Sequence, residues 1–229
     1  MSPKNITRFF LIIVSILTLA HLVGLFFRFV LQHDYVYGIV PFFDLNGERN
    51  FPAMYSAVSM IVCAGFLGLI GLAKRRSRQP YGFHWLGFGF IFLFLAVDEF
   101  LQLHDKLHEP MVNALDLHGL LFVGWVVPYA AAGIVLLGVY YKFLINLPKR
   151  TLIWFFASGF VFLAGAMGIE AVSGRHIELY GRDTAYVLIY TLEEMLELAG
   201  ILMFIYALAS YIDTELKDLR IRITSGGSD

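Results

Sequence analysis

The chain has 229 residues, 59% of them hydrophobic and 15% charged, with a mean hydropathy of +0.71 and a formal net charge of −1. That composition excludes an ordinary soluble domain, because runs of about 20 apolar residues are long enough to cross a hydrocarbon core of roughly 30 Å. The single cysteine, Cys63, excludes an intrachain disulfide, and a net charge this small gives no sign of a nucleic-acid partner.

Taken in chain order, hydropathy places six spans at about 8–31, 53–73, 83–103, 119–142, 151–171 and 185–211. Lys4 and Arg8 before the first apolar run resemble the start of a signal peptide. The run continues to about Val30 with no small-residue cleavage site, so it reads as a retained span. In the first loop, Asp44-Leu45-Asn46-Gly47 suggests a calcium loop. The glycine and terminal glutamate of an EF-hand would then fall on Arg49 and Tyr55, so an interfacial turn is the better reading. Small residues in span two (Ala57, Cys63, Ala64, Gly65, Gly68) suit close helix packing, and Pro128 predicts a kink in span four. Span five carries Gly159, Gly165 and Gly168 before Glu170. The connections leave no room for a soluble domain, so one all-α bundle of six transmembrane helices, 1–229, is expected.

The charges are sorted by side. Lys4, Arg8, Lys74, Arg75, Arg76, Arg78, Lys142, Lys149, Arg150, Lys217, Arg220 and Arg222 fall on one side, leaving Arg28, Arg49, Lys106, Arg175 and Arg182 for the other. The positive-inside rule then puts both termini in the cytoplasm of a bacterial inner membrane. The acids show the reverse bias. All 18 lie on the outer side or in the outer half of a span, except those of the C-terminal tail. Outer acids so outnumber outer bases that salt bridges cannot absorb them; some must be protonated, hydrated or holding a cation.

Two stretches carry the chemistry. The run Val97–Pro110 is expected to continue span three as a helix until Pro110 stops it, which puts His104 and His108 one turn apart on one face. His104-Asp105-Lys106-Leu107-His108 has the pair spacing of the zincin motif, with Asp105 where that motif has Glu. In span six, Tyr190, Glu193, Glu194 and Glu197 occupy one face, and Glu197 reaches roughly 18 Å into the membrane at 1.5 Å per residue. Carboxyls at that depth cost at least about 2.5–3.5 kcal/mol each facing lipid, so they must turn into the bundle. Glu170 of span five and Glu99 of span three lie at overlapping depth. Glutamates from separate helices plus a histidine are the vocabulary of helix-bundle di-iron sites, although Glu194-x-x-Glu197 lacks the histidine.

Asp98-Glu99 with His104-Asp105, a lone Glu170, and Glu193-Glu194 with Glu197 resemble a group of uncharacterised bacterial six-span membrane proteins, as does the segment Asn46, Asn50, Phe51, Pro52, Tyr55 and Ser56. The resemblance implies the six-span fold and brings no activity with it. Seven-span zinc hydrolases of ceramidase type differ in span count and motif order.

The expected function is a divalent-metal-dependent hydrolase or oxidoreductase, its site open to the periplasmic side. Glu99, His104, His108, Glu170, Glu194 and Glu197 would bind zinc, iron or manganese, with Asp105 or Glu193 as acid or base. The substrate would be a membrane lipid, or a lipid-like or periplasmic small molecule. A proton or cation conductor using the same acids, and a structural or assembly subunit, are the alternatives. Below Glu197 the sixth span offers few polar groups, with Gly200, Tyr206 and Ser210 before Tyr211 at its end, which favours a one-sided site over a conductor.

Overall fold

The computed structural model describes residues 2–216, so Lys217, Arg220 and Arg222 of the charge argument lie outside the described residues. Six helices are long and apolar enough to cross a membrane: α1 Pro3–Phe29, α2 Phe51–Arg76, α3 Gly82–Leu101, α4 Val126–Ile145, α5 Lys149–Tyr180 and α6 Thr184–Glu215. The protein is an all-α polytopic membrane bundle.

Cap chemistry sets several boundaries. Ser2 accepts the Asn5 N–H and Pro3 opens α1, which therefore starts well before residue 8. Asn50 accepts the Ala53 N–H at 3.1 Å ahead of Pro52, and Asp183 accepts the Tyr186 N–H at 2.9 Å to start α6. Lys74, Arg75 and Arg76 close α2, where positive charge complements the helix dipole.

Three expectations are corrected. Span three does not run on to Pro110. It stops at Leu101 with Gln102 in the left-handed region, followed by a 3₁₀ turn Asp105–Leu107 and a separate short helix His108–Leu115. The cause is Asp98, whose carboxylate takes the His104 N–H at 2.9 Å and offers the backbone an alternative to further helix. Pro110 lies in the first turn of the short helix, where a missing N–H costs nothing. Span four begins at Val126 rather than 119, so Pro128 falls in its first turn and makes no interior kink. Span five runs on to Tyr180, and Ala164–Ile169 within it is π-helical.

Helix α6 is the central post, packed against α5, α1 and α2. Where it crosses α5 the two backbones nearly touch. A β-carbon on Gly200 would stand 2.6–2.8 Å from Cβ, N and Cα of Phe162, and one on Gly165 would stand 2.7 Å from the Glu193 carbonyl oxygen. Gly200→Leu is accordingly expected to cost about 1–3 kcal/mol through overpacking, and to lower the melting temperature in detergent. An unchanged melting temperature would contradict this close crossing.

Taking as inner the half of the bundle that holds the start of α1 and the end of α6, and as outer the other half, the inner half is solidly filled. Trp85 of α3 packs against Phe143 of α4 at 5.0 Å, Phe155 of α5 at 5.9 Å and Tyr211 of α6 at 4.8 Å, over Leu67, Ile70, Ile205 and Leu208. The outer half is open. Helix α4 meets the bundle through buried residues at its two ends, Val123, Trp125 and Val126 outside and Phe143 and Leu147 inside, while Ile134, Val135 and Val139 between them stay exposed.

Candidate functional site

A cavity of about 1120 Å³ occupies the space behind α4, and all eight residues singled out by sequence line it: Glu99, His104, Asp105, His108, Glu170, Glu193, Glu194 and Glu197. The α6 stripe faces it because three carboxyls cannot face lipid. Glu170 reaches it immediately after the π-helical segment, whose wider turn re-aims the residues that follow. Gly165 in that segment brings α5 down onto α6 beside Glu193 and Glu197.

The acids form one through-space network. Glu193 is paired with Glu170, Glu197 feels Glu99 and Glu170, and Glu194 feels Glu197, Glu99 and Glu170. Glu193 is only 5% exposed, and its Oε2 has no hydrogen-bond partner. Trp125 Nε1, on another wall of the cavity, is also buried without a partner. Among the described residues no three His, Cys, Asp or Glu groups stand ready as a metal cage.

His104 is the most constrained member. Asp98, 5% exposed, takes both its backbone N–H at 2.9 Å and its ring Nδ1 at 3.2 Å, while Nε2 lies 3.6 Å from Asp105. The ring leans on Trp125, 4.9 Å between centroids. Burial pulls its pKa down, but the Asp98 hydrogen bond and the charges of Asp105, Asp98 and Glu99 outweigh it, leaving the pKa raised. Asp98 thus orients the imidazole through Nδ1, leaving Nε2 on the side of Asp105. His108 is not the helical partner of His104, since the chain turns between them. Its Nδ1 accepts the Gly124 N–H at 3.3 Å, so that nitrogen is closed to a metal.

Sequence reasoning missed His21 and the loop it holds. His21, 1% exposed, accepts the Leu45 N–H on Nδ1 at 3.1 Å, and its Nε2 lies 3.0 Å from Thr191 Oγ1. A nitrogen that accepts a backbone N–H carries no proton, so Nδ1 at 3.5 Å from Asp44 Oδ1 is not half of an ion pair. Asp44 instead accepts from the Asn46 N–H and, at 3.4 Å, from the Tyr190 hydroxyl, and Asn46 donates to the Tyr186 hydroxyl at 3.2 Å. The turn Asp44–Gly47 is therefore pinned over the outer mouth of the cavity, which it helps to line. A histidine inside an otherwise apolar span was the available signal.

At the rim, Glu178 of α5 faces His118 Nδ1 at 2.9 Å and accepts the Gly119 N–H at 2.8 Å, tying the loop before α4 to α5. The hydrogen bond to Glu178 raises the pKa of His118, helped by Asp116. With a raised folded value, this clasp is fully present below the ordinary histidine range near 6.5 and is lost as pH climbs through the folded pKa. The melting-temperature gap between wild type and Glu178→Gln should therefore be widest at about pH 6 and narrow steadily above about 6.5. A gap that widens with pH would contradict the assignment.

Residues 9–211 match a family described as a domain of unknown function (DUF8692). The chain belongs to that family. No curated protein and no solved structure matches it. The six-span architecture and the acid-lined cavity are thus the features from which function must be argued.

Proposed function

We propose that this family member is a membrane-embedded hydrolase acting on a lipid-like substrate, with its acid-rich cavity opening to the periplasmic face of a bacterial inner membrane and both termini in the cytoplasm. The observation that carries the reading is the convergence of five glutamates and His104 on one cavity, with Glu193 Oε2 buried and unpartnered among them. A buried acceptor without a partner is costly, and a site that keeps one is built to meet something absent from the polypeptide.

Glu99, Glu170, Glu194 and Glu197 would hold a divalent metal, zinc, iron or manganese, which leaves His104 Nε2 free to accept a proton. Carboxylate oxygens bind these ions, and the long glutamate side chains can rotate inward to close a set that is not preformed. Such an ion would polarise a substrate carbonyl or phosphoryl oxygen. His104, oriented by Asp98, is the general base, and Glu193 the acid that returns a proton to the leaving group. His108 becomes a wall residue on this reading. The filled inner half around Trp85 speaks for a one-sided site over a conductor, which needs a polar path on both sides.

Two measurements test the reading. Elemental analysis of purified protein should find metal that Glu197→Gln and Glu170→Gln lose, with a lower melting temperature in both, because bound-ion free energy stabilises the fold. A metal-free wild type whose melting is indifferent to chelator and to added zinc, iron or manganese would end the metal reading. For orientation, cysteines placed at Asn46, Asn113 or Glu178 should be labelled from the periplasm against a silent, fully buried Cys63. Labelling at Ser77 instead would invert the topology.

A further inference from the structure

The cavity is not sealed from the membrane. Phe94 of α3 and Ile134 and Leu137 of α4 line it and yet are 51%, 72% and 55% exposed, so the same side chains face both the interior space and the lipid. A β-carbon on Gly133 of α4 or on Gly159 of α5, both on the lining, would meet nothing within 4 Å. The middle of α4 is thus a bar across an open window at acyl-chain depth. At about 1120 Å³ the space slightly exceeds the roughly 300–1,000 Å³ of clefts that bury a drug-sized ligand, which leaves room for an acyl chain and a head group.

The two ends of the space differ. Towards the inner plug the lining is apolar, with Phe88, Phe92 and Leu144. At the outer end it carries the carboxyl cluster, and among the described residues the one lysine or arginine that lines it is Arg182 at the outer mouth. An anionic head group would sit among carboxyls with a single guanidinium to answer it. An ammonium head would suit the carboxyls but has donors only. The orphaned atoms ask for both kinds of partner: Glu193 Oε2 lacks a donor and Trp125 Nε1 lacks an acceptor. A hydroxyl or amide supplies both in one group.

We propose that an amphiphile enters this cavity sideways from the membrane past the middle of α4, its acyl chain lying in the apolar part and an uncharged hydroxyl- or amide-bearing head meeting Glu193 and Trp125. This rests on the reading of the carboxyl cluster as the reacting end and names the class of substrate for it. Small rotations of the Glu193 carboxyl and the Trp125 indole bring their buried atoms to the head group.

The test is photo-capture in vesicles, with three probes sharing one diazirine-bearing acyl chain: a monoacylglycerol, a lysophosphatidic acid and an alkylammonium. Chelator is present throughout and capture is read by mass spectrometry, so a failure of the metal reading leaves this measurement untouched. The monoacylglycerol should label α4 between Ala130 and Leu137 and outcompete the other two. Trp125→Phe should lower its capture about five- to tenfold, the worth of one neutral hydrogen bond, and leave the anionic probe unaffected. Gly133→Leu fills open space without a clash, so it should block capture with no fall in melting temperature. Equal or stronger labelling by the charged probes would overturn the head-group assignment. Capture undiminished in Gly133→Leu would overturn the lateral site.

Discussion

Trp85→Ala is expected to cost about 3–5 kcal/mol, the largest loss from any single truncation in the protein. The indole is 1% exposed and touches α4, α5 and α6 together, through Phe143, Phe155 and Tyr211. In a bilayer the hydrophobic effect does little to hold helices together, because lipid tails are as apolar as a core, so the loss is one of packing. The consequence is specific to this architecture. The outer half of α4 borders a cavity and contributes little contact, so its inner anchorage at Phe143 and Leu147 depends on the Trp85 cluster. Thermal unfolding in detergent checks the magnitude. A loss under about 1 kcal/mol would mean that the inner plug is not what closes the bundle.

Much of this was legible in the sequence because membrane solvation leaves few choices. Each span appears in the structure, and Asp44–Gly47 forms a turn closed by the Gly47 N–H on the Asp44 carbonyl. Glu193, Glu194 and Glu197 had to face inward for the same reason, and Glu170 and Glu99 met them because their depths could be counted from the span ends. The start of α1 was equally readable from Ser2-Pro3, a cap signature that hydropathy windows ignore.

What was not legible depends on one side chain overruling a local pattern. The periodicity through Val97–Pro110 favours a helix, and only the capture of the His104 N–H by a buried Asp98 turns the chain at Gln102. That turn undoes the His104–His108 pairing and at the same time creates the Asp98–His104 pairing. The π-helical segment before Glu170 likewise lies where α5 crosses close on α6, a contact that no single-helix pattern encodes. His21 reads as a lone polar residue until Leu45 and Thr191 are brought to it from loop and helix far along the chain.

Asp98→Asn is the substitution that separates orientation from architecture. The asparagine carbonyl oxygen can still accept the His104 N–H, so the turn at Gln102 stands and stability should fall by no more than about 1–2 kcal/mol. Its amide then points a donor at ring Nδ1, where the aspartate offered an acceptor. The imidazole must answer by moving its proton to Nε2, the nitrogen that faces the cavity. A base blocked in this way should slow hydrolysis of a captured amphiphile about 10²–10⁴-fold. The tautomer is readable without a substrate, from the ¹⁵N shifts of labelled histidine. Asp98→Ala differs in kind: it orphans both the backbone N–H and the ring, at about 1–3 kcal/mol for each group left unpaired, and should loosen the turn itself. An Asp98→Asn protein that keeps its proton on Nδ1 and its full rate would show that Asp98 serves the turn alone. The base would then have to be sought among the glutamates of α6.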